Sequence, residues 1–270
     1  YPAGMPPPAD TQGYRHSQDI LINQVNRFDA FPGPIVFIPG NHDWAEGGSE
    51  GRAALARQEA YVESYLGRGN TFLPDDGFPG PAVVELTDRI TLVALDTQWW
   101  LHDYIVRDDE SDCTEDTRAV TAALREQVRA PGPNRVVVVG GHHPLMTGGM
   151  HGGYCGISGP FRRFGNRAQD IISGPNRTLR DSIESAFSAQ PPLVYAAGHE
   201  HNLQVLRGGE NVEYLLVSGA GSLGKAACGV RLRESYYVSQ HRAGFMRVDV
   251  MRGSGVLLRV YRFAGSGEGG

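Results

Sequence analysis

The chain has 270 residues, 40% of them apolar and 20% charged, which is ordinary for a globular protein and ample for a buried core. Its formal charge of −5 argues against a broad surface for nucleic acid or anionic membrane. No run approaches the roughly 18–20 apolar residues that span a bilayer.

The proline-rich stretch through Asp10 reads as a loop. Ser17 to Phe28 carries a helical period in Ile20, Leu21, Gln24, Val25 and Phe28, and Pro32 and Pro34 close it. Ile35 to Ile38 is predicted as a short buried strand. Arg52 to Leu66 is predicted as a helix with Leu55, Tyr61, Val62 and Tyr65 inward, stopped by Gly67 and Gly69. Val83 to Leu86 and Ile90 to Leu95, joined by Thr87-Asp88-Arg89, form a predicted hairpin. Asp116 to Val128 is a helix with an acidic start, and Pro131-Gly132-Pro133 breaks it before the strand Val136 to Val139.

Thr147 to Pro175, full of Gly, Pro and Arg, is expected to be a long irregular excursion, a length that is uncommon unless functional. A helix over Leu179 to Phe187 and a strand over Leu193 to Ala197 follow. The remainder reads as strands at Leu203 to Leu206, Glu213 to Val217, Phe245 to Val250 and Val256 to Phe263. Early βα alternation and a β-rich finish predict an α/β (α+β) fold in which two mixed sheets pack as a sandwich flanked by helices. A single domain over residues 1–264 and a flexible tail at 265–270 are expected.

Three strand ends carry the chemistry. Val36-Phe37-Ile38 leads into Gly40-Asn41-His42-Asp43, Val136 to Val139 into Gly141-His142-His143-Pro144, and Leu193-Val194-Tyr195 into Gly198-His199-Glu200-His201. Side chains at three strand ends on one sheet edge converge although they lie far apart in sequence. Imidazole nitrogens and amide oxygens are donors that borderline divalent and trivalent metals accept.

In this order the three motifs resemble the calcineurin-like metallophosphoesterases. Gly198-His199-Glu200-His201-Asn202-Leu203-Gln204, Leu95-Asp96-Thr97 and Val217-Ser218-Gly219-Ala220-Gly221 are most similar to the purple acid phosphatase branch. The resemblance implies a phosphoester hydrolase, a phosphomonoesterase first, acting on a small phosphate ester and served by two divalent or mixed-valence ions of Fe, Zn or Mn. Two such metals about 3.5–4 Å apart hold nucleophile and ester oxygen for in-line attack by a metal-supplied hydroxide.

By the same resemblance, Asn41, His142 and His199 bind one metal and His201 the other, and Tyr1 matches a tyrosine that ligates iron in that branch. His143 points away from the metal. His42 is expected to protonate the leaving oxygen or stabilise charge on the phosphoryl group, with Asp43 orienting its ring; the plainer reading is that Asn41 and Asp43 cap a helix. His151 falls where the branch carries a substrate-facing histidine, and a simple loop histidine is the other reading.

The chain also departs from the family. The opening Asp-x-His strand end and the Gly-Asp-Asn turn are absent, so the chain is read as lacking its first strands and as able to bind one metal or two. Trp44 stands where the branch often has another histidine, either stacking on an aromatic leaving group or packing as a wall. Arg162, Arg163 and Arg167 either grip phosphate or form a solvated face. Trp99-Trp100 reads as core. Cys113 and Cys155 either pair or stay thiols, as does Cys228, and only the resemblance tilts the location toward export. A phosphodiesterase or nucleotide pyrophosphatase is the alternative enzyme, and a metal-poor binding or structural domain the alternative outside enzymes.

Overall fold

The computed structural model describes residues 4–102, 116–132, 135–152, 168–221, 234–252 and 255–263. Tyr1, the three cysteines, the three arginines at 162, 163 and 167 and the tail lie outside them.

Helix α1 spans Thr11–Val25, earlier than its apolar period suggests. Asp10 explains the shift, because its carboxylate accepts from Gly13 N at 3.1 Å and starts the helix there. Helix α2, Gly51–Leu66, ends as expected at Gly67, whose φ of 61° suits a residue without a Cβ. Leu55 and Val62 point inward, whereas Tyr65 is exposed, contrary to expectation; Leu66 and Ala54 take the buried positions. These two helices enclose a small core of Leu21, Val25, Leu55, Val62 and Leu66 with Met5, Trp44 and Phe72.

The predicted strand at residues 35–38 does not form. It is reduced to one parallel bridge, Phe37 to Phe72, because Pro34 and Pro39 withhold backbone donors on either side. Phe37 N donates to Thr71 O at 2.6 Å, and Leu73 N to Phe37 O at 2.8 Å. These two bonds tether the segment that delivers Asn41.

Among the described residues, a seven-stranded mixed sheet runs in the order β1-β2-β3-β4-β6-β5-β7. Its strands are β1 Ala82–Glu85, β2 Ile90–Ala94, β3 Val136–Gly141, β4 Val194–Ala197, β5 Leu203–Arg207, β6 Tyr214–Ser218 and β7 Ser235–Ser239. The predicted hairpin is β1–β2, with Val83 facing Val93. Strands β2, β3, β4 and β6 are parallel neighbours, so their C-terminal ends share one edge.

Helices α3, Thr117–Arg129, and α4, Gly174–Phe187, cover one face. Asp116 caps α3 by accepting from Ala119 N at 2.7 Å, and Ser173 caps α4, five residues ahead of the predicted start. Val120, Leu124, Leu179, Ile183 and Phe187 pack on Val93, Val137, Val139 and Tyr195. Each such large apolar side chain contributes about 1.5–3 kcal/mol on full burial.

The other face meets a second sheet, β8 Gly244–Val250 with β9 Val256–Arg262, through Met246, Val248, Leu258 and Val260. This sheet is a two-stranded antiparallel pair among the described residues, not a mixed sheet as expected, because one unbroken register joins Gly244–Arg262 to Val250–Val256. The helix-flanked, two-sheet α/β arrangement stands. No described helix is long and apolar enough to cross a membrane.

Candidate metal centre

Three of the sequence motifs meet at the C-terminal edge of the parallel strands. His142 directly follows β3, and His199 sits two residues past β4. Asn41 arrives from the tethered loop. Asn41 Oδ1 lies 2.9 Å from His142 Nε2, and His199 Nδ1 lies 3.3 Å from the same nitrogen. Bonds of about 2.0–2.2 Å to a metal place neighbouring donors roughly 3.0 Å apart at right angles and roughly 3.4 Å apart at the tetrahedral angle. The two observed spacings suit such an ion.

A hydrogen-bond relay sets the ring orientations. Thr97 Oγ1 accepts from His142 N at 3.1 Å and from His143 N at 3.0 Å, so its proton goes to His143 Nδ1, 2.8 Å away. His143 Nε2–H then donates to Gln169 Oε1 at 2.6 Å, and Gln169 Nε2 donates to Gln98 Oε1 at 2.9 Å. The backbone oxygen of Gln169 faces His199 Nε2 at 3.3 Å. Its acceptance of that N–H leaves the His199 Nδ1 lone pair toward His142 and Asn41.

Ring nitrogens of His142, His143 and His199 fall within 4.8 Å of one another. Both His143 nitrogens are engaged, by Thr97 and Gln169, which leaves His142 and His199 as the candidate donors of this group. Burial first, and the neighbouring imidazoles second, hold all three rings well below the ordinary imidazole pKa. At neutral pH they are uncharged, the state a metal needs. His199 has a φ of 58°, a left-handed backbone rare for a side chain of this size and often found at functional sites.

Gly40 makes room for His142. A Cβ there would stand 2.6 Å from His142 Cε1 and Nδ1. Gly40→Ala is therefore expected to push the imidazole aside and weaken metal retention at least about 10-fold, with about 1–3 kcal/mol lost from folding. Metal titration of the variant checks this, and unchanged affinity would show that the ring moves without consequence.

The other expected site residues fall as follows. His201 is half-buried and is one of the lesser imidazole neighbours that lower the pKa of His142 and His199. His42 is half-exposed, with Nδ1 3.6 Å from Glu46 Oε1. The Asp43 carboxyl turns inward, accepting from Gly40 N at 2.6 Å and from the Gln58 side chain. It pins the Asn41 turn to α2, and the acid found beside the His42 ring is Glu46. No regular helix follows; the next segment is a short 3₁₀ turn, so helix capping does not explain the motif. Trp44 is buried as a wall, donating to Asp96 Oδ2 at 2.6 Å. Trp99 and Trp100 are core. Tyr1 lies outside the described residues.

His151 joins the centre from the loop after β3. Its ring centroid is 4.1 Å from that of His199, and Nδ1 lies 2.8 Å from Asp170 Oδ1. Sequence reasoning did not find Asp170, Gln169, Thr97 or Glu200 as partners. Thr97 and Glu200 sit inside recognised motifs, which is the one signal that pointed to them.

The fold and site define a mixed α/β protein whose parallel strand ends gather neutral imidazoles and an amide oxygen in a cation-ready cluster. No protein-family profile matches the chain, and no curated protein matches it. Among solved structures, GAP50, described as the anchor in the inner membrane complex of Plasmodium, is similar at 14% identity and a TM-score of 0.45. The match covers 86% of this chain and 64% of that one.

Proposed function

We propose that the chain is a metal-dependent phosphoester hydrolase acting on small phosphomonoesters, of the calcineurin-like metallophosphoesterase kind and nearest the purple acid phosphatase branch. The observation that carries this reading is the convergence of Asn41 Oδ1, His142 Nε2 and His199 Nδ1 at spacings of 2.9 and 3.3 Å. Asn41, His142 and His199 would hold one Fe, Zn or Mn ion, and His201 would contribute to a second. Bound metal would supply positive charge against the phosphoryl oxygens and a hydroxide near neutral pH.

The chain's own groups do the rest. Buried, neutral imidazoles would keep lone pairs ready, with Thr97 bracing the His143 ring and the Gln169 backbone oxygen the His199 ring. His42, half-exposed, would give a proton to the leaving oxygen or stabilise charge on the phosphoryl group. With a formal charge of −5, the chain as a whole repels a phosphate ester, so attraction must come from the centre itself.

The test is metal content per chain after loading with Zn, Mn or Fe, followed by hydrolysis of p-nitrophenyl phosphate against its bis ester. Retained metal with preference for the monoester supports the reading. Preference for the bis ester moves it to a diesterase, and no metal with no turnover overturns it. His42→Ala is expected to keep its metal while kcat falls roughly 10²–10⁴-fold, the usual weight of a general acid. Loss of metal from this variant would make His42 a ligand instead.

A further inference from the structure

His151 is held from two sides by acids that the ligand set does not use. Asp170, whose side chain is 1% exposed, places Oδ1 2.8 Å from His151 Nδ1. Glu200, also buried, accepts from His151 N at 2.6 Å and from Met150 N at 3.2 Å. Gly149 permits that approach, since a Cβ there would overlap the Glu200 carboxylate. Gln204 braces the same turn, accepting from Gly148 N at 2.9 Å and donating to Thr147 Oγ1 at 2.9 Å. Ile171 N closes the frame by donating to His151 O at 3.0 Å.

From this geometry we infer that Asp170 and Glu200 are positioning residues that fix His151 with its proton on Nδ1 and Nε2 presented to the substrate beside His199. A carboxylate accepts and cannot donate, so the ring nitrogen facing Asp170 must carry hydrogen. Nε2, on the opposite edge of the ring, is the nitrogen left to meet a substrate hydroxyl or phosphate oxygen. Glu200 lies between His199 and His201 in sequence, so the backbone turn that carries those two histidines also anchors the His151 loop. Placing His151 on substrate rests on the hydrolase reading above; the ring geometry does not.

The deciding measurement is long-range ¹⁵N–¹H correlation of the histidine rings in the whole chain and in Asp170→Asn. The Nδ1–H form of His151 in the unsubstituted protein, lost or mixed with the Nε2–H form in the variant, is the expected result. The Nε2–H form in the unsubstituted protein, or an unchanged ring in the variant, overturns the inference. Should the variant fail to fold, the unsubstituted spectrum alone decides.

In the metal-loaded protein, Asp170→Asn is expected to lower kcat about 10–100-fold on p-nitrophenyl phosphate, with metal content unchanged. KM should stay within about 2-fold, and Asp170→Glu should recover part of the rate. A variant with full kcat removes His151 positioning from turnover. A metal-loaded wild-type chain that hydrolyses nothing sinks the hydrolase reading instead, and the ring spectrum then judges the clamp separately.

Discussion

His199→Ala is expected to strip the centre of metal and reduce phosphomonoester turnover to background, the largest functional effect of any single substitution in this chain. Loss of a direct donor should exceed the roughly 10–100-fold cost in metal affinity typical of outer partners. The informative comparison is His143→Ala. Both rings belong to one cluster within 4.8 Å, but the His143 nitrogens are occupied by Thr97 and Gln169. Removing the His143 ring leaves the buried Thr97 O–H without its acceptor, at about 1–3 kcal/mol, and takes from the half-buried Gln169 its donor.

The two variants should therefore separate cleanly. His143→Ala should lose more folding stability in the metal-free protein and keep more of its metal affinity. His199→Ala should do the reverse, because its ring's hydrogen bond outside the histidine cluster is a long 3.3 Å one to a backbone oxygen and its other nitrogen faces His142. Denaturant melts of the metal-free proteins and metal titrations give the two orderings. If His143→Ala empties the site and His199→Ala does not, the donor assignment is wrong.

How much of this was legible in the sequence follows from the range of each signal. The apolar runs before Asn41, His142 and His199 are contiguous, so the convergence of those motifs could be read from the chain itself. Strands β2 to β6 followed because β-branched runs punctuated by Gly and Pro are local patterns. Helix starts were less legible. A single cap at Asp10 or Ser173 extends α1 and α4 beyond the apolar period. Strand β7, Ser-Tyr-Tyr-Val-Ser, was missed because its alternation is short and its pairing partner β5 lies some thirty residues upstream.

Partnerships were the least legible part. Nothing local to Asp170 says that its carboxylate meets His151, and nothing local to Gln169 says that it links His143 to His199 through side chain and backbone together. Asp43 has partners that its motif does not show. A carboxylate beside a histidine suggested a ring-orienting pair, yet Gln58 from α2 and Gly40 N claim its oxygens. Tertiary neighbours decide which acid serves which base, and those neighbours are set by helix packing that the motif does not encode.

Asp96 should give a pH dependence of folding that one substitution can isolate. It is fully buried and accepts from Trp44 Nε1 at 2.6 Å, Gln98 N at 2.9 Å and Trp99 N at 3.4 Å. Three donors favour the carboxylate, but burial outweighs them and, with Asp43 nearby, pushes its pKa up to about 7 from 3.8. The folded state thus holds this proton more tightly than the unfolded chain. Its stabilising effect is complete below about pH 4, declines as pH rises toward 7 and is flat above, in total on the order of 4 kcal/mol. Glu59, also raised to about 7, acts in the same direction, and the depressed histidines act oppositely. Asp96→Asn removes only the first contribution, so the stability gap between wild type and variant isolates it. At pH 4 the variant should be the less stable, because an amide N–H2 or a single oxygen cannot serve all three donors. Between pH 4 and 7 the gap should close, since only the wild-type acid is forced to give up its proton. Urea unfolding across that range reads the gap directly. A gap that widens with pH would mean that the three donors, not burial, govern Asp96. The strand end bearing the Thr97 hydroxyl would then rest on a permanently ionised carboxylate.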